Sequence, residues 1–327
     1  MPGIGGTMHT QFYGLSREPF AINPDPDFWY RSHSHQEVLS SIITGIEERK
    51  GILLVTGETG TGKTILLRQV LQALDPRVKA VLISRPPETF EELLKEVLRG
   101  LGLPPGEPDK SSMLSRLHEY LYRGSSGDEI LLMAVDEAHE MSGEVLEELR
   151  VLCNPDPRRP GPGAVQLIFA GRPEFEEKLR SRELRQVIQR VSLRCRLEPL
   201  TESEIREYVE HRLKTAGGSG TGIFAPDAVD LICRHSRGIP LNVNALAYMA
   251  ICGGYALSRK QIGPDVVEKV SPVLGGRKPQ RWKEATGSVK ALAGLNGDSP
   301  LITKVTYALL AYSFLALFIV FWLNLLF

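Results

Sequence analysis

Eight consecutive residues constrain this chain more than any others: Gly57-Glu58-Thr59-Gly60-Thr61-Gly62-Lys63-Thr64. They follow the apolar run Ile52-Leu53-Leu54-Val55, which reads as a buried strand. They precede Ile65 to Leu74, which has helical periodicity and is stopped by Asp75-Pro76. Strand, glycine-rich turn and helix in that order make a phosphate cradle. Backbone N–H groups of the turn point inward, the helix adds its positive end, Lys63 supplies a point charge and Thr64 offers a hydroxyl to magnesium. The expected ligands are therefore ATP and Mg2+, with Gly57, Glu58, Thr59, Gly60, Thr61, Gly62, Lys63 and Thr64 as binding residues.

A second acidic element supports the first. The run Ile130-Leu131-Leu132-Met133-Ala134-Val135 reads as a buried strand that delivers Asp136 and Glu137 at its end. Asp136 is expected beside Thr64 in the magnesium shell, and Glu137 is placed to orient and activate an attacking water. The plainer reading of Glu137 is an acid at a helix N-terminus. After the next strand, Val165 to Ala170, comes Gly171-Arg172-Pro173, where Arg172 is either a sensor of the terminal phosphate or a surface arginine. Arg180, Arg182, Arg185, Arg190, Arg194 and Arg196 crowd the following segment. One of them is a candidate for reaching a neighbouring subunit's nucleotide, the alternative being a solvated basic face.

Helices and buried strands alternate up to Pro199, which predicts a parallel sheet covered on both faces. Beyond it only helices are expected: Glu202 to Thr215, Pro226 to Ser236, Leu241 to Ala256 and Pro264 to Val270. The fold class is thus α/β, a nucleotide-binding sheet domain with a C-terminal helical lid. The expected division is an extended clip over 1–34, the ATPase domain over 35–199, the lid over 200–271, a flexible basic linker over 272–304 and an apolar tail over 305–327. With 39 basic and 39 acidic residues, no whole-molecule field draws the chain to nucleic acid, so that partner is not expected. The four cysteines are too scattered for a zinc site.

These motifs bring a family into view. Tyr13-Gly14-Leu15, Pro19-Phe20, Pro24-Asp25-Pro26, His35, Gly45-Ile46-Glu47 and the phosphate loop resemble the general-secretion-pathway protein A group of AAA+ ATPases, which are bacterial and membrane-associated. So do Asp136-Glu137-Ala138, Leu149 to Asn154, Gly171-Arg172-Pro173-Glu174, Gln189-Arg190-Val191 and Pro199 to Glu204. The resemblance implies an AAA+ core with a helical lid, homo-oligomers that form with ATP, and a role in assembling envelope machinery. It also implies Arg190 as the arginine acting in trans. Arg172 stands where the group has glutamine. In Gly238-Ile239-Pro240-Leu241, Leu241 stands where it has an arginine that contacts ATP.

Val305 to Phe327 carries no charged residue and at ~1.5 Å per residue is long enough to span a bilayer core. Arg277, Lys278, Arg281, Lys283, Lys290 and Lys304 precede it. By the positive-inside rule the expectation is a single transmembrane helix in the inner membrane with the ATPase domain in the cytoplasm. The function expected is ATP hydrolysis that assembles or remodels an envelope secretion, export or polymer complex through an unidentified envelope protein. The alternatives are a nucleotide-switched binding module with little hydrolysis, and a DNA-handling ATPase of the transposition-regulator type.

Overall fold

The computed structural model describes residues 7–21, 25–104, 106, 109–123, 130–154, 165–218 and 222–272. They fall into two compact units. Of the described residues, one takes those within 25–205 and 237–241, the other those within 7–21, 206–236 and 242–272.

The first unit is built on five parallel strands, β1 (Ile52–Gly57), β2 (Val78–Ile83), β3 (Ile130–Val135), β4 (Val165–Gly171) and β5 (Val191–Leu197), in the order β2-β3-β4-β1-β5. The three central strands are buried along their whole length, as their continuous apolar runs require. Because successive side chains point to opposite faces, each strand feeds two apolar layers. Ile52, Leu54, Leu131, Met133, Leu167 and Phe169 pack on one face. Leu53, Val55, Leu132, Ala134, Ile168 and Ala170 pack on the other.

The first face is covered by residues of α4 (Phe90–Gly100), α5 (Lys110–Arg123), α6 (Gly143–Leu152), α7 (Glu174–Leu179) and α8 (Arg185–Arg190). The second is covered by α2 (His33–Glu47) through Val38, Ile42 and Ile46, and by α3 (Lys63–Ala73) through Leu66, Leu67 and Val70. Each of these apolar side chains contributes about 1.5–3 kcal/mol by leaving water. Local sequence sets the helix starts: Ser32, Thr89 and Ser142 accept the N–H groups of His35, Glu92 and Val145 as N-caps.

Strand β5 was not foreseen, because the arginines interrupt its apolar pattern. Only alternate residues face the sheet's cover, leaving Ser192, Arg194 and Arg196 exposed, as befits an edge strand.

The second unit is helical. Residues 206–215 of α9 (Glu202–Thr215), α10 (Pro226–Ser236), α11 (Pro240–Ala256) from Asn242 onward and α12 (Pro264–Val270) surround a core that includes Ile232, Leu246, Ile251 and Val267. The N-terminal segment belongs to this unit and is not wholly extended: Met8–Phe12 forms α1. Phe20 is fully buried there, and the guanidinium of buried Arg212 donates to Pro19 O and, at 2.8 Å, to the Tyr208 hydroxyl. Tyr208 in turn donates to Asn244 Oδ1 at 2.8 Å.

One expectation is corrected. Among the described residues no helix is long and apolar enough to cross a membrane. The tail that carried the expectation, 305–327, and the linker from residue 273 lie outside the described residues. The longest described helix, α11, has 17 residues against the ~20 that a span needs, and Val243, Leu246, Ala247, Ala250 and Ile251 along it are buried. The single-pass transmembrane helix is therefore not part of the described architecture. The described helices give the inner-membrane localisation no support.

Candidate nucleotide site

Strand register determines which residues meet. Thr56 of β1 is level with Gly171 of β4, and Val135 of β3 is level with Phe169. The residues that follow these strand ends, the phosphate loop after β1, Asp136-Glu137 after β3 and Arg172 after β4, consequently share the carboxyl edge of the sheet. The N–H of Asp136 donates to Ile83 O at 2.9 Å, so β2 also helps fix this edge.

In the loop, Gly60 and Gly62 adopt φ of +85° and +105°, conformations a side chain resists. A Cβ on Gly62 would also lie 2.8 Å from His35 Nε2, and one on Gly60 would lie 2.6 Å from Leu241 Cβ. Thr61 is buried and donates its hydroxyl to Glu58 O at 2.8 Å. Glu58 and Thr59 are exposed at the loop's tip. Lys63 opens α3 and reaches back across the loop, donating to Gly57 O at 2.8 Å and Glu58 O at 3.1 Å. It is 4 % exposed.

Thr64 donates its hydroxyl to Asp136 Oδ2 at 2.6 Å, while Asp136 Oδ1 accepts the Glu137 N–H at 2.9 Å. These oxygens are hard donors of the kind magnesium takes, with one or two carboxylates from protein and the rest from phosphate and water. The residues fit the ion. Glu137 itself turns sharply off the strand with φ of +49°, uncommon for a residue with a side chain.

The electrostatics of the edge come from burial opposed by close charges. Burial lowers the Lys63 pKa, and Glu137 and Asp136 hold it up. Burial raises the Glu137 pKa above the ordinary carboxylate value, Lys63 opposing and Asp136 assisting. His139 Nδ1 approaches Glu137 Oε2 at 3.4 Å, yet burial, assisted by Arg172, lowers the His139 pKa. The lowered pKa works against a salt bridge between the two. Arg172 belongs to the same field, acting on Lys63, Glu137 and His139, and its Nε is buried without a hydrogen-bond partner among the described residues.

Arg190 lies elsewhere. Val191 pairs with Ile52 at the start of β1, whereas Gly57 at its end pairs with Leu197. At ~3.3 Å per residue this puts Val191, the residue after Arg190, about 17 Å along the strand direction from the edge that carries its own phosphate loop. There Arg190 is exposed and donates to Asn154 Oδ1 at 2.8 Å.

Three contacts were not read from the sequence. His35 sits beneath Gly62. The Leu241 N–H donates to Gly60 O at 3.3 Å. Lys178 Nζ donates to His139 O and Met141 O at 2.8 and 2.6 Å, pinning the turn after Glu137. The available signals were the pairing of Ser32 with His35 at N-cap spacing and the glycine-proline pattern before Leu241. Nothing local marks Lys178.

Comparison with known proteins bears on the domain and its fold. A family model described as an AAA domain matches residues 46–179. General secretion pathway protein A of Aeromonas hydrophila is 34% identical over 291 residues, covering 88% of this chain and 52% of that protein. The chain thus spans about half the length of that curated relative. Among solved structures, the ORC2 protein of Aeropyrum pernix superposes with a TM-score of 0.61 at 18% identity, over 88% of this chain and 82% of that one. CDC6P of Pyrobaculum aerophilum gives 0.57 at 18%, over 88% and 89%. At these identities the likeness is one of fold. The AAA domain over residues 46–179, with the glycine-rich loop of this chain inside it, implies nucleotide binding. Residues 46–179 are an AAA domain, in a chain that resembles general secretion pathway protein A over most of its length.

Proposed function

We propose that this protein hydrolyses ATP and uses the cycle to assemble or remodel a secretion complex, as the name of its Aeromonas hydrophila relative suggests. The observation that carries the catalytic part is the convergence at the sheet's carboxyl edge, where Thr64 meets Asp136 at 2.6 Å and Glu137 follows directly. Lys63 and the loop N–H groups hold the phosphates. Magnesium, held by Thr64 and Asp136, would neutralise charge on the phosphate oxygens. Glu137 accepts a proton from water as its oxygen attacks the terminal phosphorus and the bond to the bridging oxygen breaks. A carboxylate whose proton affinity is raised by burial suits that task. Arg172, from the same edge, stabilises the transferred group. Arg190 acts on the nucleotide of a second copy, a role consistent with its distance from its own loop.

Two measurements test this. The purified chain should hydrolyse ATP, and Glu137→Gln should bind ATP as the parent does without turning it over. Undiminished turnover by Glu137→Gln would overturn the assignment. Tight binding with negligible turnover by the parent would decide for a nucleotide-switched binding module, a reading favoured by the seating of apolar Leu241 on Gly60.

A further inference from the structure

One buried titratable group at the site has no part in the chemistry above. His35, in the first turn of α2, is 4 % exposed, and its Nδ1 lies 2.6 Å from Ser32 Oγ. Ser32 is itself buried, and its Oγ also accepts the His35 backbone N–H at 3.3 Å. The ring's other nitrogen faces the phosphate loop, where Gly62 passes so close that a Cβ would lie 2.8 Å from Nε2, and the Thr61 backbone favours the protonated ring. These contacts define a tautomer: the Ser32 Oγ accepts the His35 N–H and donates its own proton to Nδ1, which leaves the ring proton on Nε2, facing the loop.

The anchorage is fixed from a third direction. Glu204 Oε1 accepts the His33 N–H at 2.9 Å, and Ser34 Oγ accepts the Glu198 N–H at 3.0 Å, so the first turn of α2 is tied to residues 198–204. Burial lowers the His35 pKa, against the Thr61 backbone and the Glu204 charge, which keeps the ring neutral and the tautomer usable at neutral pH.

We propose that His35 is a positioning residue for the phosphate loop. Clamped by Ser32, its ring supports Thr61 and Gly62 from below and sets the orientation in which the loop's N–H groups meet a nucleotide. The contact makes nucleotide affinity depend on the turn that opens α2. This rests on the nucleotide-binding reading and deepens it. A loop without the strut samples other backbone orientations, and misplacement of binding groups by an ångström is enough to cost about 100-fold.

The test uses the full chain and two readouts, anisotropy of a fluorescent ATP analogue and hydrogen exchange of residues 58–64 without nucleotide. His35→Ala is expected to weaken binding about 10- to 100-fold and to speed exchange in the loop while the exchange of β1 stays as in the parent. His35→Gln carries an amide nitrogen to about the reach of Nε2. It should restore affinity to within about threefold, less than one lost hydrogen bond. Ser32→Ala, which leaves the ring in place without its clamp, should fall between. Parent-like affinity and parent-like exchange in His35→Ala would overturn the proposal. So would equal losses in His35→Ala and His35→Gln that track a fall in Tm, since a ring that only fills space is not rescued by an amide. A parent that binds no nucleotide overturns the binding reading instead, and loop exchange then still decides the role of His35.

Discussion

The carboxyl edge of the sheet and the β5 edge carry the two kinds of charge this protein has to manage, and they manage them oppositely. At the carboxyl edge Lys63 and Asp136 are 4 % and 3 % exposed, and each is held by hydrogen bonds inside its own chain. Along β5, Arg194 and Arg196 are exposed, with ion pairs to Glu176 and Glu198 at 3.4 and 3.1 Å, and Arg190 leans on Asn154. Buried charges are oriented by the fold itself, because leaving them unpaired is costly. Exposed arginines keep their hydration and lose little by exchanging one partner for another. The first edge is therefore built before any ligand arrives, whereas the second keeps its arginines free to exchange partners, as the proposed trans role of Arg190 requires.

Substitutions can break that contrast, and the largest effects should fall on turnover. Glu137→Gln should lower kcat about 100- to 10,000-fold with ATP affinity nearly unchanged, as measured by steady-state hydrolysis and equilibrium binding. Arg190→Ala should lower it about 1,000-fold or more while leaving folding intact. Mixing Arg190→Ala with Glu137→Gln should restore part of the activity if the arginine serves a neighbour. No recovery at any ratio would place its effect within its own subunit.

Next come the core residues under the carboxyl edge. Phe169→Ala should cost about 3–5 kcal/mol in denaturant unfolding, because Phe169 is fully buried in the core.

Smaller still is a pH effect. Folding favours the protonated form of Glu137, so its contribution to stability is full below the ordinary carboxylate range and is lost as pH rises through the raised value. Glu137→Gln should accordingly melt slightly higher than the parent at neutral pH and show no such gain in acid. Smallest is Arg194→Ala, which removes a part-exposed pair and should change stability by under about 1 kcal/mol. A larger loss would show that the β5 edge is structural after all.

Much of this was legible in the chain. The phosphate loop and the acid pair declare themselves because both depend on short-range patterns, a glycine-rich turn between a strand and a helix, and two carboxylates at the end of an apolar run. The parallel sheet followed from buried strands alternating with helices. Strand β5 was hidden because an edge strand needs only one apolar face, and its arginines occupy the other. The tail from 305 was read from its lack of charge, its length and the basic residues before it, and it lies outside the described residues, among which no helix supplies a membrane span.

By itself the sequence determined the local geometry: where the loop turns, which residue opens α3, and where the two carboxylates stand along the chain. Tertiary structure alone decided which distant residues share an edge. Strand register brought Asp136 to Thr64 and Arg172 to the same edge, and set Arg190 at the other end of β5. Helix packing laid His35 against Gly62, and chain return laid Leu241 against Gly60. The physical reason is that turn and helix preferences act over a few residues, whereas register and packing are settled only when separate apolar faces find one another.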